Sequence, residues 1–152
     1  MKDLIWYQRS DQRLSVWRDF RHKLNQLPLE LALQEVCTLW SFAPYVTYYL
    51  DPAKPQEWPD PWQLLSENYY CDLAKTLGIF YTIALSSHGV NDVKLKIYFD
   101  SRRKEQINIV VVNDKLVINY HFNRIVNTDA ISQDCVLQRA YDATDLRIKN
   151  YQ

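Results

Sequence analysis

Apolar positions recur every three to four residues over the first part of the chain, and later they alternate. Over residues 11–25, Leu14, Trp17, Leu24 and Phe20 or Arg21 keep a 3–4 spacing, and Ser10 or Asp11 can cap them, which predicts a helix. Pro28 opens a second predicted helix over about 29–42, with Leu29, Leu33, Val36 and Trp40 as its stripe and Cys37 beside it. Residues 43–60 contain Pro44, Pro52, Pro55 and Pro59, which exclude a regular helix or a central strand. Tyr45, Tyr48, Tyr49 and Trp58 are interleaved with them, so the stretch predicts an ordered loop packed by its own aromatic rings. Asp60 and Pro61 then start a short helix through Leu65, as N-cap and first helical residue. Tyr70, Leu73, Ala74 and Leu77 mark a further helix over about 69–78, which Gly78 is expected to end.

Beyond Gly78 the period changes to two. Residues 79–85 form the first apolar run, and Val93, Leu95, Ile97 and Phe99 alternate with Lys94, Lys96 and Tyr98, as in a strand with one wet face. Residues 107–112 and 116–121 follow, and a two-residue turn at Asn113-Asp114 would make them a tight hairpin. A last helix is expected near residues 136–149. Helices first and antiparallel strands afterwards predict an α+β fold, a hairpin meander with helices on one face. The 152 residues suit a single domain spanning 1–152.

Composition narrows the function classes. The 18 Lys+Arg and 18 Asp+Glu leave no net charge to draw the chain to nucleic acid or anionic lipid. No apolar run approaches the ~20 residues of a membrane span, and the first ten residues lack the continuous apolar stretch of a secretory signal. Two glycines exclude a phosphate-cradling glycine loop. Cys37, Cys71 and Cys135 are too far apart for a disulfide framework, and free thiols in the reducing cytoplasm are the expectation. His22, His88 and His121 have no metal-ligand spacing, so neither a metal nor another cofactor is expected. His88, in Ser86-Ser87-His88-Gly89, reads as a turn residue. The basic run Arg102-Arg103-Lys104 sits between strands, where a solvated hairpin loop is the simple account and phosphate binding a weak alternative. Charge and rings are nevertheless uneven. Residues 26–91 hold 11 of the 21 aromatic residues and seven acids against Lys54 and Lys75. That is either ordinary solvation around an aromatic core or a polarised surface for a protein partner.

Cys71 is the candidate for chemistry. It falls in the first turn of the predicted 69–78 helix, where the peptide dipoles favour a thiolate nucleophile. Such a nucleophile needs a base and a group that orients the base. In a hairpin turning at Asn113-Asp114, opposed residues sum to 227. Asn108 then faces Asn119, Val110 faces Val117, and parity puts these four with His121 on one face.

Three segments carry a resemblance: Trp58-Pro59-Asp60-Pro61-Trp62-Gln63-Leu64-Leu65, Tyr70-Cys71-Asp72-Leu73-Ala74 and Leu77-Gly78-Ile79. Together they resemble the bacterial transglutaminase-like cysteine proteinase group, over roughly residues 58–121. In that group a Trp/Pro segment leads into a Cys-acid-x-Ala helix, and two paired strands then supply His and Asp or Asn. The resemblance implies a papain/transglutaminase-like core, with Cys71 as nucleophile, Asn108 at the place of the His and Asn119 at that of the orienting residue. The chain departs from the pattern in two ways. Tyr69-Tyr70 replaces the usual Gly, and the base is Asn, which cannot take a proton from a thiol near neutral pH. Several readings stay open: Cys71 as a plain buried thiol, a damaged site that now binds a protein partner, or a cysteine hydrolase or acyl transferase with His121 as base. A looser likeness of the 13–20 opening, the Trp/Pro segment and Tyr70-Cys71 to small tailed-bacteriophage proteins of marine and cyanobacterial hosts implies a virion or assembly component. Its partners would be phage structural proteins.

Overall fold

The protein is described by a computed structural model over residues 4–47 and 50–148. Among the described residues four α-helices, α1 (Ser10–Leu24), α2 (Leu29–Ser41), α3 (Pro61–Glu67) and α4 (Asp72–Ala84), precede five strands. These are β1 (Val93–Asp100), β2 (Glu105–Val112), β3 (Leu116–His121), β4 (Arg124–Asn127) and β5 (Cys135–Tyr141). The sheet is antiparallel throughout, in the order β4-β3-β2-β1-β5. The expected meander is therefore β1 to β4, and β5 returns to the free edge of β1. α4 lies on β1 and β2, and α2 lies on β3 and β4. The main core fills the space between those helices and the sheet, with Leu95, Ile97, Val110, Val112 and Ile118 pointing into it. Ile109, Val111 and Val117 form a small second cluster on the other face.

The spans of α1, α2 and α3 hold to within two residues at each end, but neither Ser10 nor Asp11 caps α1, whose N-cap is Arg9 with no side-chain cap bond. Asp60 caps α3 as expected, and the cap is reciprocal: Gln63 N–H donates to the Asp60 carboxylate (2.8 Å), and Asp60 N–H donates to the Gln63 amide oxygen (3.0 Å).

The expectation that Gly78 ends its helix is overturned, because α4 runs on to Ala84. Residues 79–85, read as a strand, are mostly its second half. Every residue from Thr76 to Ala84 is buried, so this part of the helix shows no polar face and no helical period. Gly78 serves packing instead. A Cβ there would lie 2.2 Å from Cη2 of Trp40, so the indole rests directly on the helix backbone. The indole N–H groups of Trp17 and Trp40 both donate to the Thr82 hydroxyl (3.0 Å each), which in turn donates to the Gly78 carbonyl (2.7 Å). One hydroxyl on α4 thus ties down α1 and α2.

The expected C-terminal helix near 136–149 is also overturned. Residues 135–141 are strand β5, and Lys149 lies outside the described residues. β5 is an edge strand with mostly exposed side chains, so neither period marks it; pairing with β1 decides its conformation. In the proline-rich loop Trp58 packs both within the loop and outside it: it donates to the Asp51 carbonyl (2.8 Å) and meets Tyr141 of β5 edge to face (5.4 Å), while Tyr45 is exposed. Tyr48 and Tyr49 lie outside the described residues. His88 is 2.9 Å from the Leu24 carbonyl through Nε2, which pins its turn to the end of α1.

Candidate functional site

α4 begins with a cap rather than a full turn. Cys71 is extended (φ −74°, ψ 172°), and its Sγ accepts from the Ala74 N–H at 3.4 Å. The sequence reading placed Cys71 inside the helix; it is the N-cap, so its side chain folds back over the first turn. The preceding residue is fixed by the proline-rich loop. Tyr70 N–H donates to the Pro44 carbonyl (2.9 Å) and Val46 N–H donates to the Tyr70 carbonyl (3.1 Å), a short parallel bridge. Cys71 lines a cleft of about 450 Å³ between this bridge and the ends of β2 and β3, although it is only 2% exposed itself.

The β2–β3 register differs from expectation by one residue. Val110 pairs with Ile118, Val111 with Val117 and Val112 with Leu116, a sum of 228. Asn113 and Asp114 both have positive φ (56° and 53°), and Lys115 N–H donates to the Val112 carbonyl (3.1 Å), as in a two-residue primed turn. Lys115 is then left as an extra residue before pairing begins, and this shifts the ladder. Val117 accordingly points to the far face, away from Val110.

The same shift would carry Asn119 away from the helices, but Asn119 adopts φ 73°. This left-handed residue, a conformation asparagine tolerates better than most, reverses the alternation where the β2–β3 ladder stops. Its amide returns to the helix side. It donates to Thr76 Oγ1 (2.9 Å), to the Asn108 carbonyl (3.0 Å) and to Asp72 Oδ1 (3.3 Å). Asn108, 4% exposed, donates through Nδ2 to Asp72 Oδ2 (2.8 Å) and accepts from Gln106 Nε2 through Oδ1 (2.8 Å). The Thr76 hydroxyl donates to the Asp72 carbonyl (2.9 Å) and lies 3.3 Å from the Asn108 carbonyl. The amide orientations follow from chemistry: a carboxylate only accepts, so Asp72 fixes Asn108, and Asn108 fixes Gln106.

The cleft therefore brings together Cys71, Asn108 and Asn119, three of the four residues named from sequence. It does not take in His121. That residue is exposed at the end of β3, its ring against Tyr120 (4.8 Å between centroids), and it does not line the cleft.

Sequence reading missed Asp72, Thr76 and Gln106 as members of the site. The signals were present. Asp72 and Thr76 are four apart on one helix face, and Gln106 and Asn108 are two apart on one strand face. Burial pushes the Cys37 and Cys135 thiols up from their ordinary value, chiefly by desolvation, and Asp100 adds to this at Cys135. Among the described residues, no group of three or more His, Cys, Asp or Glu side chains is placed to hold a metal ion. No helix of the described residues is long and apolar enough to cross a membrane.

Neither a family model nor a curated protein matches the sequence. Solved structures do match. LapG of Legionella pneumophila superposes with a TM-score of 0.70 at 12% identity, over 93% of this chain and 80% of that one. Its calcium-bound form gives 0.71 at 12% identity, over 90% and 77%, and its EGTA-treated form gives 0.70 at 12%, over 93% and 80%. The chain shares the α+β, transglutaminase-like fold of LapG.

Proposed function

We propose that this chain is a transglutaminase-like domain that binds a polypeptide in its cleft and does not turn it over. The observation that carries the reading is the state of Asn108. A proton acceptor at that place would have to face the thiol. Instead both ends of the amide are taken, the nitrogen by Asp72 and the oxygen by Gln106. An amide has no basic lone pair to offer in any case. The orienting place is likewise occupied by Asn119, whose amide is spent on Asp72, Thr76 and a backbone carbonyl. Cys71 is left as a buried cap whose sulfur takes the Ala74 N–H. The cleft itself stays open, with the exposed Tyr45 on its rim, and tyrosine is a residue enriched where proteins meet. A phage structural protein as the partner is an expectation from the sequence segments alone.

The test is alkylation of the native protein by iodoacetamide at neutral pH, with the modified cysteines located by mass. Cys71 is expected to label no faster than Cys37. Selective, rapid labelling of Cys71, or an acyl adduct on it after incubation with peptide substrates, would reverse the reading in favour of a cysteine hydrolase or acyl transferase.

A further inference from the structure

We infer that the cleft takes the guanidinium of an arginine carried by the polypeptide partner; this rests on the binding role proposed above. Among the described residues, the cleft lining includes two carboxylates, Asp72 and Glu105, and no Lys, Arg or His. Its side-chain amides bond largely to one another and to Asp72: Gln106 gives an N–H to Asn108, Asn108 gives to Asp72, and Asn119 gives to Asp72, Thr76 and the Asn108 carbonyl. A second N–H of Gln106 and of Asn108 remains beside the amide oxygens, so what distinguishes the lining is its charge, which the two carboxylates make negative. Such a surface suits a donor-rich cation and not a carboxylate or a phosphate. The N-terminus of α4 would by itself attract an anion, but its first turn already holds one, the Asp72 carboxylate.

Two features select guanidinium over a bare ammonium. The carboxylate of Asp72 is held still by two amides, which presents both oxygens in a fixed plane for a forked donor. Tyr45, an exposed residue, lines the same cleft and supplies a ring on which a planar cation can stack. Glu105 is the weaker partner, because it already lies 3.9 Å from Arg103 in a solvent-exposed pair.

The experiment titrates the full chain, labelled with nitrogen-15, with the blocked tripeptide acetyl-Gly-Arg-Gly-amide and with its citrulline counterpart. Citrulline keeps the shape and removes the charge. The arginine peptide is expected to shift amide signals around Asp72, Asn108 and Asn119 and to weaken as salt is raised, while the citrulline peptide binds about tenfold more weakly or worse. Asp72→Asn is expected to lose about the same factor, and Tyr45→Ala, at an exposed side chain that cannot disturb the core, about threefold. Absence of shifts with the arginine peptide, or equal binding of citrulline, overturns the inference and leaves the non-catalytic reading untouched. Cleavage of the arginine peptide that requires Cys71 does the reverse.

Discussion

Asn108→Ala removes one side chain at the junction of β2 and α4, and its cost can be worked from the bonds lost. The 2.8 Å bond from Nδ2 to Asp72 has a charged acceptor and a donor in a 4% exposed residue. Such bonds contribute about 1.5–3 kcal/mol. The 2.8 Å bond from Gln106 contributes little, because Gln106 is exposed and regains water. Asp72 is exposed as well and is rehydrated, which pulls the total toward the lower half of the range. The backbone carbonyl of Asn108 keeps its bond from Asn119. The net expectation is a loss of about 2 kcal/mol, read as a fall of about 1 M in the urea midpoint at an m-value near 2 kcal/mol/M. A double-mutant cycle with Asp72→Ala should return a coupling of about 1–2 kcal/mol. The opposite outcome has a clear meaning. Groups kept for catalysis are commonly held at a cost to stability, and their removal stabilises. If Asn108→Ala is neutral within about 0.5 kcal/mol or raises the midpoint, the amide is not a satisfied structural element and the reasoning about a quiet site fails.

Gly78→Ala sets a helix-propensity gain of about 1 kcal/mol against a Cβ placed 2.2 Å from Trp40. Trp40 cannot yield easily, since it is bonded to Thr82 and packed between Trp6 (4.9 Å) and Tyr70 (5.2 Å). Thermal melting should show net destabilisation of about 2 kcal/mol or more, and an unchanged melting temperature would refute the close approach. Among the thiols, Cys135 is the more accessible and should alkylate before Cys37 and Cys71, and its rate should keep rising with pH beyond the ordinary thiol range, because desolvation and Asp100 have raised its thiol; labelling of Cys37 first would contradict the burial pattern. Asp142 accepts the Asp145 N–H (2.8 Å), which holds its carboxyl below the usual value. The sign follows: its small contribution is present above about pH 4 and is lost as acid protonates the folded carboxyl. Asp142→Asn should flatten the acid limb of a stability-against-pH curve slightly and leave neutral pH nearly unchanged.

The parts of this fold that sequence conveyed are those with a wet side and a dry side. α1, α2 and the Asp60 cap of α3 were legible because these signals are local, although the cap expected at Ser10 or Asp11 of α1 did not form. β1 was legible because Leu95 and Ile97 face the core while Lys94 and Lys96 face water. α4 was legible only as far as Tyr70, Leu73, Ala74 and Leu77; beyond them burial on every side erased the period, and a glycine held against Trp40 passed for a stop. β5 failed for the opposite reason, since an exposed edge strand owes its conformation to its neighbour. The site combines both cases. Cys71 and Asn108 were found through residue type and order along the chain. Asn119 was assigned to the correct cluster on a register that is wrong by one residue: Lys115 shifts the ladder, and the left-handed turn at Asn119 undoes the shift for that one side chain. A histidine two residues from Asn119 reads in sequence as a spare base, and in three dimensions it is exposed and does not line the cleft. The carboxylate of Asp72 draws Asn108 and Asn119 into one network, and the proposed quiet reading rests on that network.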